Sequence, residues 1–238
     1  MDTHNTPKRH ELSMARSMCW HCQSEVHGEY FCQQCVKVQP LTKELDYFTC
    51  LGLPRQLTIN ADRLEAKFYE LSRAFHPDFF QNKTQTEQAI SLRNSALLNS
   101  AYRTLKDPVQ RAEYLLRLEA GSAKDIRTAP PSDLFEEILA LQENLEEFRS
   151  AGPEADPAGR KELQARLTTH RLTLEARQRQ LEARLFERFT EWDRLQERES
   201  RGEQVRTEKD AVLKEMQEIL SNRTYLRNIV SNVVTTIG

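Results

Sequence analysis

Apolar residues recur along most of this chain at spacings of three and four, the pattern of helices that bury one face. Leu64, Phe68, Leu71 and Phe75 lie four, three and four residues apart and predict a helix over about 62–75, capped by Asn60 or Asp62. Pro77 must end it, because proline lacks the amide hydrogen and drives His76 out of helical geometry. A second amphipathic helix is expected from Thr84 or Thr86 to Asp107-Pro108, with Ala89, Leu92, Ala96, Asn99, Tyr102 and Leu105 on its buried side. The two make an antiparallel hairpin whose exposed tip reads HPDFFQNKTQ.

Farther along, Gly121 and Pro130-Pro131 break the pattern, and Ser132 or Asp133 caps a helix reading DLFEEILALQENLEEFRS. Leu134, Ile138, Leu141 and Leu145 make one apolar stripe on it, while Phe135 and Leu139 make a second, offset one. One stripe fills a bundle core, so the second is a candidate partner face. Beyond the loop AGPEADPAG a long helix is expected from about Arg160 to near Arg201. It carries Leu163, Leu167, His170, Leu174, Leu181, Leu185, Phe189, Trp192 and Leu195 at coiled-coil-like spacing. A break near Gly202 leads to a last helix through Val212, Met216, Ile219, Leu220, Tyr225, Leu226, Ile229 and Val233. These three helices predict an antiparallel bundle.

Composition supports an all-α chain. Leu occurs 29 times against 16 Val plus Ile, and only 7 Gly and 9 Pro interrupt 238 residues, none of the prolines after Pro157. A formal charge of −2 gives no electrostatic case for nucleic acid. No run of about eighteen apolar residues is present to cross a membrane. The opening MDTHNTPKRHELS has no apolar signal core, so residues 1–15 are expected to be disordered and the protein cytoplasmic.

Four of the five cysteines, Cys19, Cys22, Cys32 and Cys35, form two C-x-x-C pairs in CWHCQSEVHGEYFCQQC. Each pair can turn two thiolates onto one ion, and four thiolates suit a tetrahedral structural zinc. An iron centre in the same cage, disulfides and redox chemistry are the alternatives. His21 and His27 read as bystanders, and Trp20, Tyr30 and Phe31 as the apolar packing of a small knuckle over 16–40. Cys50 reads as a small buried hydrophobe.

The His76-Pro77-Asp78 tip, between two helices of the right length and preceded by DYFTCLGLP, resembles the J-domain of DnaJ co-chaperones. With the downstream NSAYRTLKDPVQRAEYLL, the C-terminal helices and the cysteine knuckle, the chain resembles the HscB co-chaperones of iron–sulfur cluster assembly. The resemblance implies an L-shaped protein with a J-domain over 44–121 and a bundle over 122–238. It also implies that His76, Pro77 and Asp78 dock on an HscA/DnaK-type chaperone and stimulate its ATPase, flanked by a basic face with Arg63, Lys67 and Arg73. An IscU-type scaffold would be held by Phe135, Ile138 and Leu139, the positions implied by a gap-free match in which Glu136 replaces the family's Met. No nucleophile with a paired base and no Gly-rich phosphate loop occurs, so the protein is not expected to be an enzyme itself. A general J-protein for unfolded clients is one rival reading and a structural coiled-coil protein with a chance His-Pro-Asp the other; weak self-association is a further expectation.

Overall fold

The computed structural model describes residues 17–26, 29–41, 45–119, 132–151 and 156–237. The expected disordered stretch 1–15, His27 and most of the two linkers lie outside these residues. The chain packs as two compact units that divide between Arg111 and Ala112.

The first unit begins with a two-stranded antiparallel ribbon, β1 (Ser17–Met18) and β2 (Glu25–Val26), paired Ser17 to Val26 and Met18 to Glu25. Four helices follow: α1 (Tyr47–Cys50), α2 (Ala61–Ala74), α3 (Gln85–Lys106) and α4 (Pro108–Glu119), the last running across the division. Helix α2 starts where the Asn60 side chain accepts the Arg63 N–H, and it buries Leu64 and Leu71 as the spacing predicts. Phe68 is half-buried and stacks on Tyr102 of α3 with ring centroids 4.1 Å apart. Thr84 and Glu87 cap α3 reciprocally, each side chain taking the other's backbone N–H.

The buried face of α3 differs from the expectation. Ala89, Leu92, Ala96 and Asn99 are exposed, Leu92 by 64%. The buried side is made by Glu87, Ile90, Ser91, Asn94, Leu98, Ala101 and Leu105. Three of these are polar, and each is buried because it bonds to a distant segment. Asn94, fully buried, accepts the Leu41 N–H at 2.9 Å and donates to the Gln39 carbonyl at 2.9 Å. Glu87 takes the Lys37 ammonium at 3.0 Å. Ser91 donates to the Phe75 carbonyl at 2.7 Å.

The second unit is the expected antiparallel bundle of α5 (Phe135–Ser150), α6 (Pro157–Ser200) and α7 (Arg206–Ile237), with every pair of helices in contact. The seam residues Leu163 through Leu195 are buried as read, and His170 is half-buried, its Nε2 3.3 Å from Asn144 Nδ2. Gly202, at φ 87°, turns α6 into α7, a conformation that costs a side chain about 1–2 kcal/mol. Among the described residues no helix is long and apolar enough to cross a membrane.

Asn94→Ala is expected to destabilise the first unit by about 3 kcal/mol, because two buried backbone groups lose their partner at once. Hydrogen exchange of the full chain should show the loss in α2 and α3 while α6 and α7 keep the parent's protection.

Candidate metal centre and partner surfaces

The two C-x-x-C segments are one device used twice. In each, the N–H of the first cysteine bonds a carbonyl five residues on, Cys19 to Ser24 at 2.8 Å and Cys32 to Lys37 at 2.9 Å. The residue four on returns an N–H to the cysteine carbonyl, Gln23 at 3.1 Å and Val36 at 2.9 Å. Both returning residues sit at positive φ, 61° and 58°, strained for side chains other than glycine. That repetition brings all four sulfur atoms within 4.8 Å of one another, with Cys19 and Cys35 3.6 Å apart and Cys22 and Cys32 3.7 Å apart.

The edges fit a metal cage. Thiolates about 2.3 Å from a central ion lie about 3.8 Å from each other in a tetrahedron, whereas a disulfide would bring two sulfurs to about 2 Å. All five cysteines are free. The Cys32 thiol is pulled down to about 6, first by its hydrogen bond with Ser24 Oγ at 3.2 Å and then by backbone N–H groups. Burial opposes ionisation at Cys19, but the backbone N–H groups of Cys22 and His21 outweigh it and hold that thiol below its usual range. Desolvation pushes Cys35 up to about 12, with the neighbouring thiols adding to the effect. Four thiolates this close repel one another, and a cation among them removes that conflict. His21 is exposed and bonds the cluster only through its backbone, so it takes no part as a ligand. Cys50 is fully buried and, pushed up to about 12 by that burial, stays a thiol.

The knuckle aromatics do not pack inward. Its small core is Cys19, Val26 and Cys32 with Cys35 against them. Trp20 donates to the Val38 carbonyl at 2.7 Å. Tyr30 and Phe31 turn instead to Phe75, the residue that closes α2, with ring centroids 5.6 and 6.0 Å from it. Burial pushes Tyr30 up to about 12, so its hydroxyl stays neutral and donates to the Cys50 carbonyl at 3.2 Å.

After Phe75 the tip closes into one 3-10 turn, Pro77–Phe80, with His76 at its cap. Pro77 sits at the first turn, where its missing N–H costs nothing. His76 Nδ1 accepts the Asp78 N–H at 3.3 Å and its carbonyl accepts the Phe79 N–H at 3.0 Å, which fixes the ring against the turn. The Asp78 carboxylate is 70% exposed. Phe80 anchors the turn inward while Phe79 is 69% exposed. Helix α3 holds both ends of the tip. Ser91 and Ser95 donate to the Phe75 carbonyl at 2.7 and 2.9 Å, and Gln88 Nε2 donates to the carbonyls of Gln81 and Lys83 at 2.9 and 3.0 Å. Sequence reasoning missed these three residues, since serine and glutamine on a helix read as solvent-facing. On α2, Lys67 is engaged by Glu70 at 2.9 Å, whereas Arg63 and Arg73 are exposed.

On α5, Phe135 and Leu139 are 62% and 48% exposed. Ile138 is not part of that face. It is 4% exposed, lying three and seven residues from the buried Leu141 and Leu145 and therefore on the stripe that fills the bundle. The gap-free match placed it among the presenting residues, and the helix period removes it.

Residues 46–114 match the DnaJ domain family. The chain is 34% identical over 139 residues to the mouse (Mus musculus) protein described as iron-sulfur cluster co-chaperone protein HscB, an alignment covering 56% of this chain and 58% of that protein. It thus spans less than two thirds of that relative's length. The fold is similar to that of human co-chaperone protein HscB, with a TM-score of 0.65, 24% identity and coverage of 92% and 98% of the two chains. It is also similar to chaperone HscB from Vibrio cholerae, with a TM-score of 0.53, 24% identity and coverage of 80% and 96%. The chain therefore carries a DnaJ domain over residues 46–114, with the tetracysteine cluster ahead of it, and shares its fold with the HscB co-chaperones it is similar to.

Proposed function

We propose that this protein is a cytoplasmic co-chaperone that stimulates the ATPase of an HscA/DnaK-type chaperone and delivers an IscU-type scaffold to it during iron–sulfur cluster biogenesis. The observation that carries the reading is the tip of the α2–α3 hairpin, where a single fixed turn holds an exposed Asp78 carboxylate at the end of a rigid support. A carboxylate held this way recognises a cation on a partner by a geometry-sensitive, charge-assisted contact. His76 and Pro77 set the shape of the turn, and Arg73 and Lys67 provide the flanking positive charge. Lys67 contributes less, because Glu70 already neutralises part of it.

The second face is the pair Phe135 and Leu139 at the start of α5. Two large apolar side chains, adjacent on one helix turn and left uncovered, are suited to the apolar anchor of a protein interface. The ion in the knuckle is zinc in a structural role, held by Cys19, Cys22, Cys32 and Cys35. It supplies folding energy to a segment whose own apolar core is too small to order it.

Asp78→Asn is expected to lower chaperone ATPase stimulation by about a hundredfold or more, the scale of a lost charge pair at an interface. Scaffold binding should be unchanged in that variant. Phe135→Ala with Leu139→Ala should do the reverse, costing about 2–4 kcal/mol of scaffold affinity in a pull-down or calorimetric titration. Parent-like behaviour of both variants would sink the two-surface reading. Metal analysis should give one zinc per chain in a colourless protein, and Cys32→Ser should lose it. Trp20 lies in the knuckle and the buried Trp192 in the bundle, so chelation should change the emission of a Trp192→Phe variant and leave that of Trp20→Phe unaltered. A visibly coloured iron-loaded protein would contradict the assignment.

A further inference from the structure

The knuckle and the chaperone-docking tip belong to one packing unit, and three independent contacts join them. The rings of Tyr30 and Phe31 close on Phe75, one stacked at 21° and one edge-on at 75°. Phe75 immediately precedes His76, and its ring is fully buried. The second contact is the Lys37–Glu87 ion pair, 5% exposed on the glutamate side. Glu87 is also the residue that caps α3, so the pair fixes the point where the chain re-enters helix after the tip. The third runs from a metal ligand: Gln39 Nε2 donates to Cys19 Sγ at 3.4 Å, and the Gln39 carbonyl is held by Asn94 of α3.

On the reading that the tip docks on a chaperone, we propose that the metal-bound knuckle is a positioning device for that tip, with Tyr30 and Phe31 setting Phe75 and Lys37 setting the start of α3. Both hinge points of the His76-Pro77-Asp78 turn are thereby clamped by residues that are ordered only while the four cysteines hold their ion. Within the turn His76 takes the Asp78 and Phe79 N–H groups and Phe80 is the one buried side chain, so the turn's own contacts do not set where its two ends are placed. The clamp supplies what the turn lacks. Metal occupancy then governs how much of the population carries a docking-competent tip, and the apparent affinity for the chaperone scales with that fraction.

The test uses the full chain. Hydrogen exchange at the Phe79 and Lys83 amides is measured in the parent, in Phe31→Ala, in Phe31→Leu and in parent stripped of metal with a chelator. Phe31→Ala leaves every ligand in place, so its metal content should equal the parent's. Loss of the ring pair should speed exchange of the tip amides about tenfold, and metal removal should do at least as much. Phe31→Leu should restore most of the protection, and the α3 amides of Leu98 and Ala101 should not change. In the ATPase assay, Phe31→Ala should raise the concentration of the protein needed for half-maximal stimulation about tenfold and leave the maximal rate intact. Unchanged tip exchange in both Phe31→Ala and the stripped protein overturns the proposal, as does loss of protection spread evenly through α2 and α3. A tip that loosens as expected in a protein whose parent stimulates no chaperone would uphold the clamp and refute the docking role.

Discussion

Phe75 is the residue on which the first unit depends. Its ring is gripped by Tyr30 and Phe31 from the knuckle, its carbonyl is taken by Ser91 and Ser95 of α3, and its N–H ends α2 through the Leu71 carbonyl. Three segments far apart in the sequence therefore meet at one position, one residue before His76. A chain leaving a helix into an exposed turn ordinarily frays, because the last carbonyls lack partners. Here the two serine hydroxyls satisfy the carbonyl of Phe75, and the direction in which the turn departs is set by residues of α3 and the knuckle.

The same contacts explain how so small a cysteine segment is ordered as part of a larger unit. A two-residue-stranded ribbon with a core of three buried side chains cannot order itself in water. Holding four thiols together forms one side of it, and burying Asn94, Glu87 and Phe75 against it forms the other. Each polar group buried at that junction has a partner, so the contact is specific in register as well as favourable.

Much of this was legible from residue order. The α6–α7 seam announces itself because Leu163 through Leu195 and Val212 through Val233 repeat with a helical period and no proline intervenes. The tip is legible because Pro77 and the extended His76 before it leave few alternatives, and the cage because four cysteines at that spacing do. The face of α3 was not legible. A count of apolar positions sends Leu92 and Ala96 inward and Asn94 and Ser91 outward, whereas the structure does the opposite. The reason is that Asn94 and Glu87 are buried by bonds to residues 53 and 50 positions away, which no local periodicity carries. Tyr30 and Phe31 fell to the same blindness, since nothing in the knuckle's own residues points to Phe75. Ile138 is a simpler case: an aligned motif ignored the 3.6-residue period that the helix obeys.

The central claim is that one chain couples two recognition events, a chaperone at the hairpin tip and a client at α5. Linking two sites in one molecule turns the second encounter into a local one and raises its effective concentration. The most direct measurement is the chaperone's steady-state ATPase rate titrated with apo-scaffold, with and without a saturating amount of this protein. The account predicts that the half-saturating scaffold concentration falls by about tenfold or more when the protein is present. A half-saturating concentration that stays the same, with rates that merely add, would contradict it.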